Sequence, residues 1–399
     1  MRIAFVGGFA FSPKGTIRAR AFPLAVELVK RGHEVTIFLT PYDNLEDSGQ
    51  EWVRNDVRIR NVSASSTPLS YPGMLISLVR ALSQYKPDLV HIFKPKGFAG
   101  AAGSYLMLKG MRNLAVDCDD WEGWGGWNDV KSYPWVLKEY IDRQERWMMH
   151  SAPLLTVASR ELHKRCVGVR GSDASVHYVP NCMSAENLRI QAQVGECSES
   201  ELRRQFGLPR GLIVLYSGHF EPGDETMFFC RAAAPVAERH RASIVFVGDG
   251  PELCQVKAFF AARSNSSVYF LPHLPYEEFV RAVAVADVTA FPFPDDRVHQ
   301  SKCSARVIDY MSMGKAVITS AVGQNSEYIV DGQSGILVPP MDESGFSEGL
   351  DLLLRSPDLR ANLGENAAKR IREDFCWSGQ PLQQCLAAYQ QLVGEHEPV

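Results

Sequence analysis

No stretch of the chain approaches the roughly 20 consecutive apolar residues that a bilayer-spanning helix needs, so no membrane span is expected. Basic residues do not outnumber acidic ones. The 42 Lys and Arg face 46 Asp and Glu, a formal charge of −4, and that balance does not argue for nucleic acid as the main partner. The nine cysteines show neither a disulfide framework nor metal-ligand spacing, which leaves reduced, mostly core thiols as the expectation. The opening MRIAFVGG runs straight into a strand and a glycine turn, so no leader segment is expected. It also lacks the G-x-G-x-x-G spacing of dinucleotide binders. What remains is an ordinary globular composition, 45% apolar and 22% charged over 399 residues, which suits about two to three domains.

The chain reads as two successive runs of strand, loop and helix. In the first, Arg2–Val6 is an apolar strand, Gly7 and Gly8 permit close backbone approach to a ligand, and a helix spans Ala21–Arg31. His33–Leu39, Val57–Val62 and Asp88–Phe93 follow as strands, with a helix over Tyr71–Tyr85. Lys94 and Lys96 then sit at a helix start, where free N–H groups and the helix dipole favour an anion. Two solvated lysines on a loop are the commoner arrangement. In the second run, Val288–Phe291 is a buried strand, followed by a loop with two prolines and two aspartates. Val307, Ile308 and Met311 have helical spacing, with Ser304 as N-cap and Gly314 just past the end. Ala316–Thr319 is the next strand, and sheets built this way bind ligands beyond the carboxyl ends of their strands.

The least ordinary stretch is VDCDDWEGWGGWND, in which residues 117–127 hold three aspartates, one glutamate and three tryptophans, after the strand beginning at Leu114. Strand alternation would put Asp117 and Asp119 on one side and Asp120 on the other. Clustered carboxylates do not all ionise cheaply, so one is expected to keep a raised pKa and serve as acid or base. Tryptophans beside carboxylates suit a sugar; a structural loop with solvated acids is the plainer alternative. The helix over Tyr133–His150 carries Glu139, Arg143, Glu145 and Arg146 as a mostly solvated face. Residues 183–209 read as polar and irregular, with a short helix near Glu199–Phe206.

Several segments together resemble glycosyltransferases with the GT-B fold, of the retaining, family-four type. Asp309 stands at the second glutamate of that family's Glu-x7-Glu motif, and Tyr310, Met311, Ser312, Met313, Gly314, Lys315, Ala316 and Val317 follow it. Val322–Gly323, Glu327, Asp331–Gly332 and Gly335–Pro340 continue the match, as do the GDGPE turn at 248–252 and Pro180–Asn181. Ser301 replaces the first glutamate, Asp119 the usual histidine before Asp120, and His219 and Asp224 the usual arginine and lysine that hold the diphosphate.

The resemblance implies two Rossmann-like α/β domains facing a central cleft. Residues 1–183 would form the acceptor side, 184–209 the interdomain segment, 210–380 the donor side, and 381–399 a last helix crossing back to the first domain. It implies transfer of a sugar, with retention, from a nucleoside-diphosphate sugar to a saccharide, lipid-linked or small-molecule acceptor, as in polysaccharide biosynthesis. Catalysis would fall to Asp119 and Asp120. Donor binding would fall to Gly7, Gly8, His219, His273, Asp296, Lys302, Arg306 and Asp309, with the cations at 302 and 306 standing in for the missing arginine and lysine. Lys94, Lys96, Trp121 and Glu122 would face the acceptor. No metal and no cofactor are expected, although Asp117-Cys118-Asp119 also spells the D-x-D metal signature of the GT-A fold. A cytoplasmic setting is expected, with peripheral contact at the inner face of the membrane as an option. The substitutions keep two alternatives in view, a non-catalytic nucleotide-sugar-binding relative and a nucleotide-sugar epimerase.

Overall fold

A computed structural model describes residues 1–12, 15–220, 225–263 and 267–394. The chain divides into two compact units. The first holds Met1–Cys182, Ser301–Cys303 and the described residues from Trp377 onward; the second holds Met183–Gln300 and Ser304–Cys376.

The strands of the first unit are β1 (Arg2–Gly7), β2 (Glu34–Leu39), β3 (Glu51–Arg54), β4 (Val57–Asn61), β5 (Leu89–Phe93), β6 (Leu114–Cys118), β7 (Leu154–Val157) and β8 (Val176–Tyr178). They form one sheet in the order β3-β4-β2-β1-β5-β6-β7-β8. Only β3 runs antiparallel to its neighbour, β4. The apolar runs that identify β1, β5, β6 and β7 are buried along their lengths, apart from Arg2, as strands covered on both faces must be. The β3–β4 hairpin turns on Asn55 and Asp56, both at positive φ (49° and 61°), the pair of left-handed residues that a two-residue hairpin loop demands.

The second unit contains β9 (Ile213–His219), β10 (Ser243–Asp249), β11 (Ser267–Leu271), β12 (Val288–Phe291), β13 (Ala316–Ser320) and β14 (Ile336–Val338), in the all-parallel order β11-β10-β9-β12-β13-β14. Its core gathers Tyr216, Phe246, Phe229 and Ile318 from strands and helices. The GDGPE turn needs its glycines. Gly248 and Gly250 lie at φ +136° and +150°, and a Cβ on either would collide with the backbone of Gly218 or Phe220 at the end of β9. Both sheets therefore reverse direction of growth at their first strand, between β1 and β5 in one and between β9 and β12 in the other. Such switch points are where open α/β sheets form ligand crevices.

Residues 184–209 are more regular than their polarity suggests. Ser184 accepts a hydrogen bond from the Asn187 N–H and starts a helix, Ala185–Gly195, which packs on the helix Tyr276–Ala284. Ser198 caps a second helix, Glu199–Gln205, in the same way. The loop after β12 also contains a short helix, Arg297–Ser301.

Candidate functional site

At the switch point of the first sheet, Gly7 pairs with Phe93 and Phe93 with Asp117, so the ends of β1, β5 and β6 lie side by side. Gly7 and Gly8 are small here for packing. A Cβ on Gly7 would press on the Ile17 and Leu39 side chains, and one on Gly8 on the Ala99 backbone nitrogen, so close packing by itself favours glycine at both positions. Lys94 follows β5 with φ +66°, a conformation that bulky L residues seldom adopt. Its ammonium lies 2.5 Å from Asp120, 2.8 Å from Glu122 and 3.4 Å from Asp119. Lys96 pairs with the other Glu122 oxygen. The expectation of a solvated Lys94 fails, because the side chain is buried and its charge is engaged by three carboxylates. The strand alternation also fails beyond Asp117. β6 ends at Cys118, and the turn that follows brings Asp119 and Asp120 to the same ammonium.

The acids of this loop have different environments. Burial works against a charged Lys94, but Asp119, Asp120 and Glu122 outweigh it and hold the ammonium well above its ordinary pKa. Burial works against a charged Glu122 too, and there Lys94 and Lys96 prevail, bringing the carboxyl down to about 2. For Asp119, burial wins. It pushes the carboxyl up to about 6, with Lys94 opposing and Asp120 and Asp117 adding to the rise. Asp119 Oδ2 accepts from Thr16 at 2.8 Å, while the buried Oδ1 has no hydrogen bond.

Asp117 is committed elsewhere. Arg20 grips both its oxygens at 2.7 Å, in a pair with almost no exposure. Thr156 donates to Asp117 at 2.5 Å, His91 meets Thr156 at 3.1 Å, and Tyr389 meets His91 at 2.6 Å. Because the Thr156 hydroxyl gives its proton to Asp117, the His91 proton belongs on Nε2 and Nδ1 accepts from Tyr389. Burial pushes His91 down to about 4, which keeps it neutral. On its other side Arg20 donates to Asn181, whose amide donates to the Cys303 carbonyl at 2.9 Å. The buried polar chain thus runs from Tyr389 to the 301–303 segment. Among the described residues no group of three or more His, Cys, Asp or Glu is placed to hold a metal ion.

The helix Trp135–Ser151 anchors the acidic loop from behind. Glu145 accepts from the Glu122 and Gly123 N–H groups at 2.8 and 3.0 Å, and Asp142 accepts from Trp124 at 2.9 Å. Glu145 is fully buried, contrary to the solvated face expected for it, and pairs with Arg165 at 2.6 Å. Arg165 in turn covers the Trp121 ring at 3.9 Å, so one face of that tryptophan is occupied.

At the switch point of the second sheet, His219 and Asp249 are register partners with side chains 3.1 Å apart, both exposed. Asp224 lies outside the described residues. Asp296 accepts from the His299 N–H at 3.0 Å and pairs with its ring at 2.7 Å at the start of the short helix, while its side chain stays half exposed. The same histidine reaches Glu225 at 3.1 Å. His273 is exposed in the turn after β11. Ser304 caps the helix Ala305–Ser312 as expected. Within that helix Asp309 is buried and accepts from Tyr276 at 2.8 Å; Gln191 donates to the same hydroxyl at 3.1 Å. Burial, then the Asp309 charge, pushes the Tyr276 phenol up. Arg306 lies 4.4 Å over the Phe279 ring and forms no ion pair among the described residues. Lys302, grouped with the first unit, lies 5.8 Å over the Trp127 ring. Lys315 donates to the Ala284 and Ala286 carbonyls at 2.7 and 3.0 Å, capping the helix Tyr276–Ala284.

Residues 198–370 match the family described as Glycosyl transferases group 1, and residues 15–182 match the Glycosyl transferase 4-like domain. A sucrose-phosphate synthase from Thermosynechococcus elongatus superposes with a TM-score of 0.73 over 99% of both chains, at 19% identity.

The chain belongs to the family-four-type GT-B glycosyltransferases.

Two further proteins are similar to this chain. Anabaena HepE in complex with UDP-glucose covers 99% of both chains with a TM-score of 0.71 and 15% identity. Alpha-D-kanosaminyltransferase of Streptomyces kanamyceticus is 26% identical over 43% of this chain and 44% of its own. The chain spans less than half the length of that curated relative, and 38% and 34% of two others. In this chain, sequence reasoning missed Arg20, His91, Asp142, Glu145, Arg165, Tyr276 and His299. The partners of Arg20 and His91 lie 65 to 298 residues away, so no local pattern marks them.

Proposed function

We propose that the protein transfers a sugar, with retention, from a nucleoside-diphosphate sugar to a saccharide, lipid-linked or small-molecule acceptor. The observation that carries this reading is Arg306, a partly buried cation in the first turn of a helix, with no carboxylate partner among the described residues. A cation there is unfavourable to the helix dipole, so an anion such as a diphosphate is its natural counterpart. Asp309, three residues on, would accept from the ribose hydroxyls beside its bond to Tyr276. His219 and His273, at the ends of β9 and β11, would border the diphosphate and the base. Lys302 would add positive charge at the leaving group. The complex of HepE with UDP-glucose supports the donor class.

On the acceptor side, Asp119 holds a carboxyl near 6 that is one hydrogen bond short, suited to take a proton from an acceptor hydroxyl near neutrality. Lys94 and Glu145 would hold the loop rigid around it, with Asp120 bound to Lys94 as a second acidic group. Lys96, Trp121 and Glu122 would border the acceptor. The rest of the rate enhancement would come from orientation and leaving-group stabilisation. We place the reaction in the cytoplasm. The test is release of nucleoside diphosphate from a panel of nucleotide sugars by purified protein with candidate acceptors. Turnover with a retained anomer is the expected result. Tight donor binding without any turnover would overturn transfer in favour of a non-catalytic binding protein, and interconversion of free nucleotide sugars would favour an epimerase.

A further inference from the structure

Large apolar side chains on the described surface are unevenly distributed. Of sixteen that are exposed, twelve lie between Leu69 and Trp147 of the first unit. They fall on and beside three helices that neighbour one another in turn, Tyr71–Tyr85, Gly97–Leu108 and Trp135–Ser151. The most exposed are Leu69 at 92%, Leu108 at 76%, Val136 at 72% and Trp135 at 67%. Trp135, Val136 and Leu137 are three consecutive exposed apolar residues in the first turn of their helix. An exposed cluster of this kind marks an interaction surface.

The same face is basic, although the whole chain carries −4. Lys131 and Lys138 flank the exposed tip in the chain, and Arg143 and Arg146 are exposed further along the same helix, against Asp129 and Glu139. Glu139 is already bonded to Arg143 and to the Trp124 indole. Lys109 and Arg112 follow the end of the helix Gly97–Leu108, with no acid between Lys94 and Val116. Tryptophan and tyrosine rings interleaved with lysine and arginine are the composition of a surface lying in a lipid headgroup layer. A second copy of this face is a poor occupant, because it would set like charges against each other. No helix among the described residues is long and apolar enough to cross a membrane, so the contact is with the surface.

We propose that this face of the first unit docks on an anionic lipid bilayer, with Trp135 and Val136 entering the headgroup layer and Lys131 and Lys138 on lipid phosphates. Lys131 lies 5.1 Å from the Trp127 ring and Lys138 5.6 Å from the Trp124 ring, both tryptophans of the loop that carries Asp119. Docking therefore sets that loop beside the bilayer, where a lipid-linked acceptor would be presented. That last consequence rests on the transfer reading; the membrane contact does not.

The experiment is co-sedimentation of the full chain with vesicles of phosphatidylcholine alone and of phosphatidylcholine with phosphatidylglycerol, without nucleotide. Binding to the anionic vesicles, weakened by salt, is expected, with little binding to the neutral ones. The double substitution Lys131→Gln, Lys138→Gln should lower partitioning about 30-fold, at ~1 kcal/mol per lysine near the surface. The pair Trp135→Ser, Val136→Ser should lower it about tenfold or more, with thermal midpoints unchanged in both. Absence of binding to anionic vesicles, or variants that partition like the native chain, would overturn the proposal. So would a dimer in solution that Trp135→Ser, Val136→Ser converts to monomer. Nucleotide binding measured on the same variants separates this outcome from failure of the transfer reading.

Discussion

The two sheets share a switch in strand order at their first parallel strand, and their carboxyl edges use charge in opposite ways. In the first unit Arg20, Lys94 and Lys96 face Asp117, Asp119, Asp120 and Glu122, and every one of these groups has an opposite charge within reach. Three cations against four carboxylates balance once a single proton is added, and Asp119 is the group that burial makes ready to hold it. In the second unit the nearest equivalents are an exposed His219–Asp249 pair, a His299 held by Asp296 and Glu225, and an Arg306 that rests on a ring without an ion pair among the described residues. A site closed on itself is rigid and prebuilt. On the proposed reading, the site with the uncompensated cation is the one that a ligand would complete.

That contrast breaks first at Lys94. Lys94→Met leaves three carboxylates around an apolar side chain and should cost about 3–5 kcal/mol of stability in denaturant unfolding at neutral pH. A loss under about 1 kcal/mol would mean that the cluster is not electrostatically closed.

Asp119 sharpens the comparison through pH. Its folded pKa of about 6 lies above its ordinary 3.8, so the stability that its protonated form contributes is complete below about 4 and is lost as pH rises through about 6. Asp119→Asn should therefore be more stable than the native chain at pH 8, by up to about 3 kcal/mol. The gain should shrink as pH falls through 6 and vanish near 4. Glu122 runs the other way. Its folded pKa of about 2 lies below its ordinary 4.5, so its contribution is complete above about 4.5 and is lost as pH falls towards 2. Unfolding curves collected across pH for both proteins check this, and a difference that does not vary with pH would contradict it.

In the second unit smaller effects are expected. Tyr276→Phe removes one hydrogen bond to the buried Asp309 and should cost about 1 kcal/mol. His219→Ala breaks an exposed pair and should change the thermal midpoint hardly at all. If His219→Ala proved as damaging as Lys94→Met, the two edges would not differ as described.

Much of this was legible in the residues. Apolar runs mark β1, β6, β12 and β13, and Ser304 and Gly314 bracket their helix where capping chemistry requires. A raised carboxyl is expected from the crowding of the acids, although burial is the larger cause of it at Asp119. What escaped depends on distant partners. Glu145 sits beside Arg143 and Arg146 in a stretch that looks solvated, and it is buried because Arg165 and the Glu122 N–H meet it there. Lys94 looks like any loop lysine until the turn after Cys118 folds three acids onto it. The strand β3 is polar and short, and its only signal is the Asn55–Asp56 turn.

The most direct measurement is calorimetric titration of nucleoside diphosphates into the native chain and into Arg306→Ala. Binding that weakens about tenfold or more in the variant, with its fold intact, is the predicted result. Equal affinity in the two proteins would show that the cation at 306 does not hold the diphosphate.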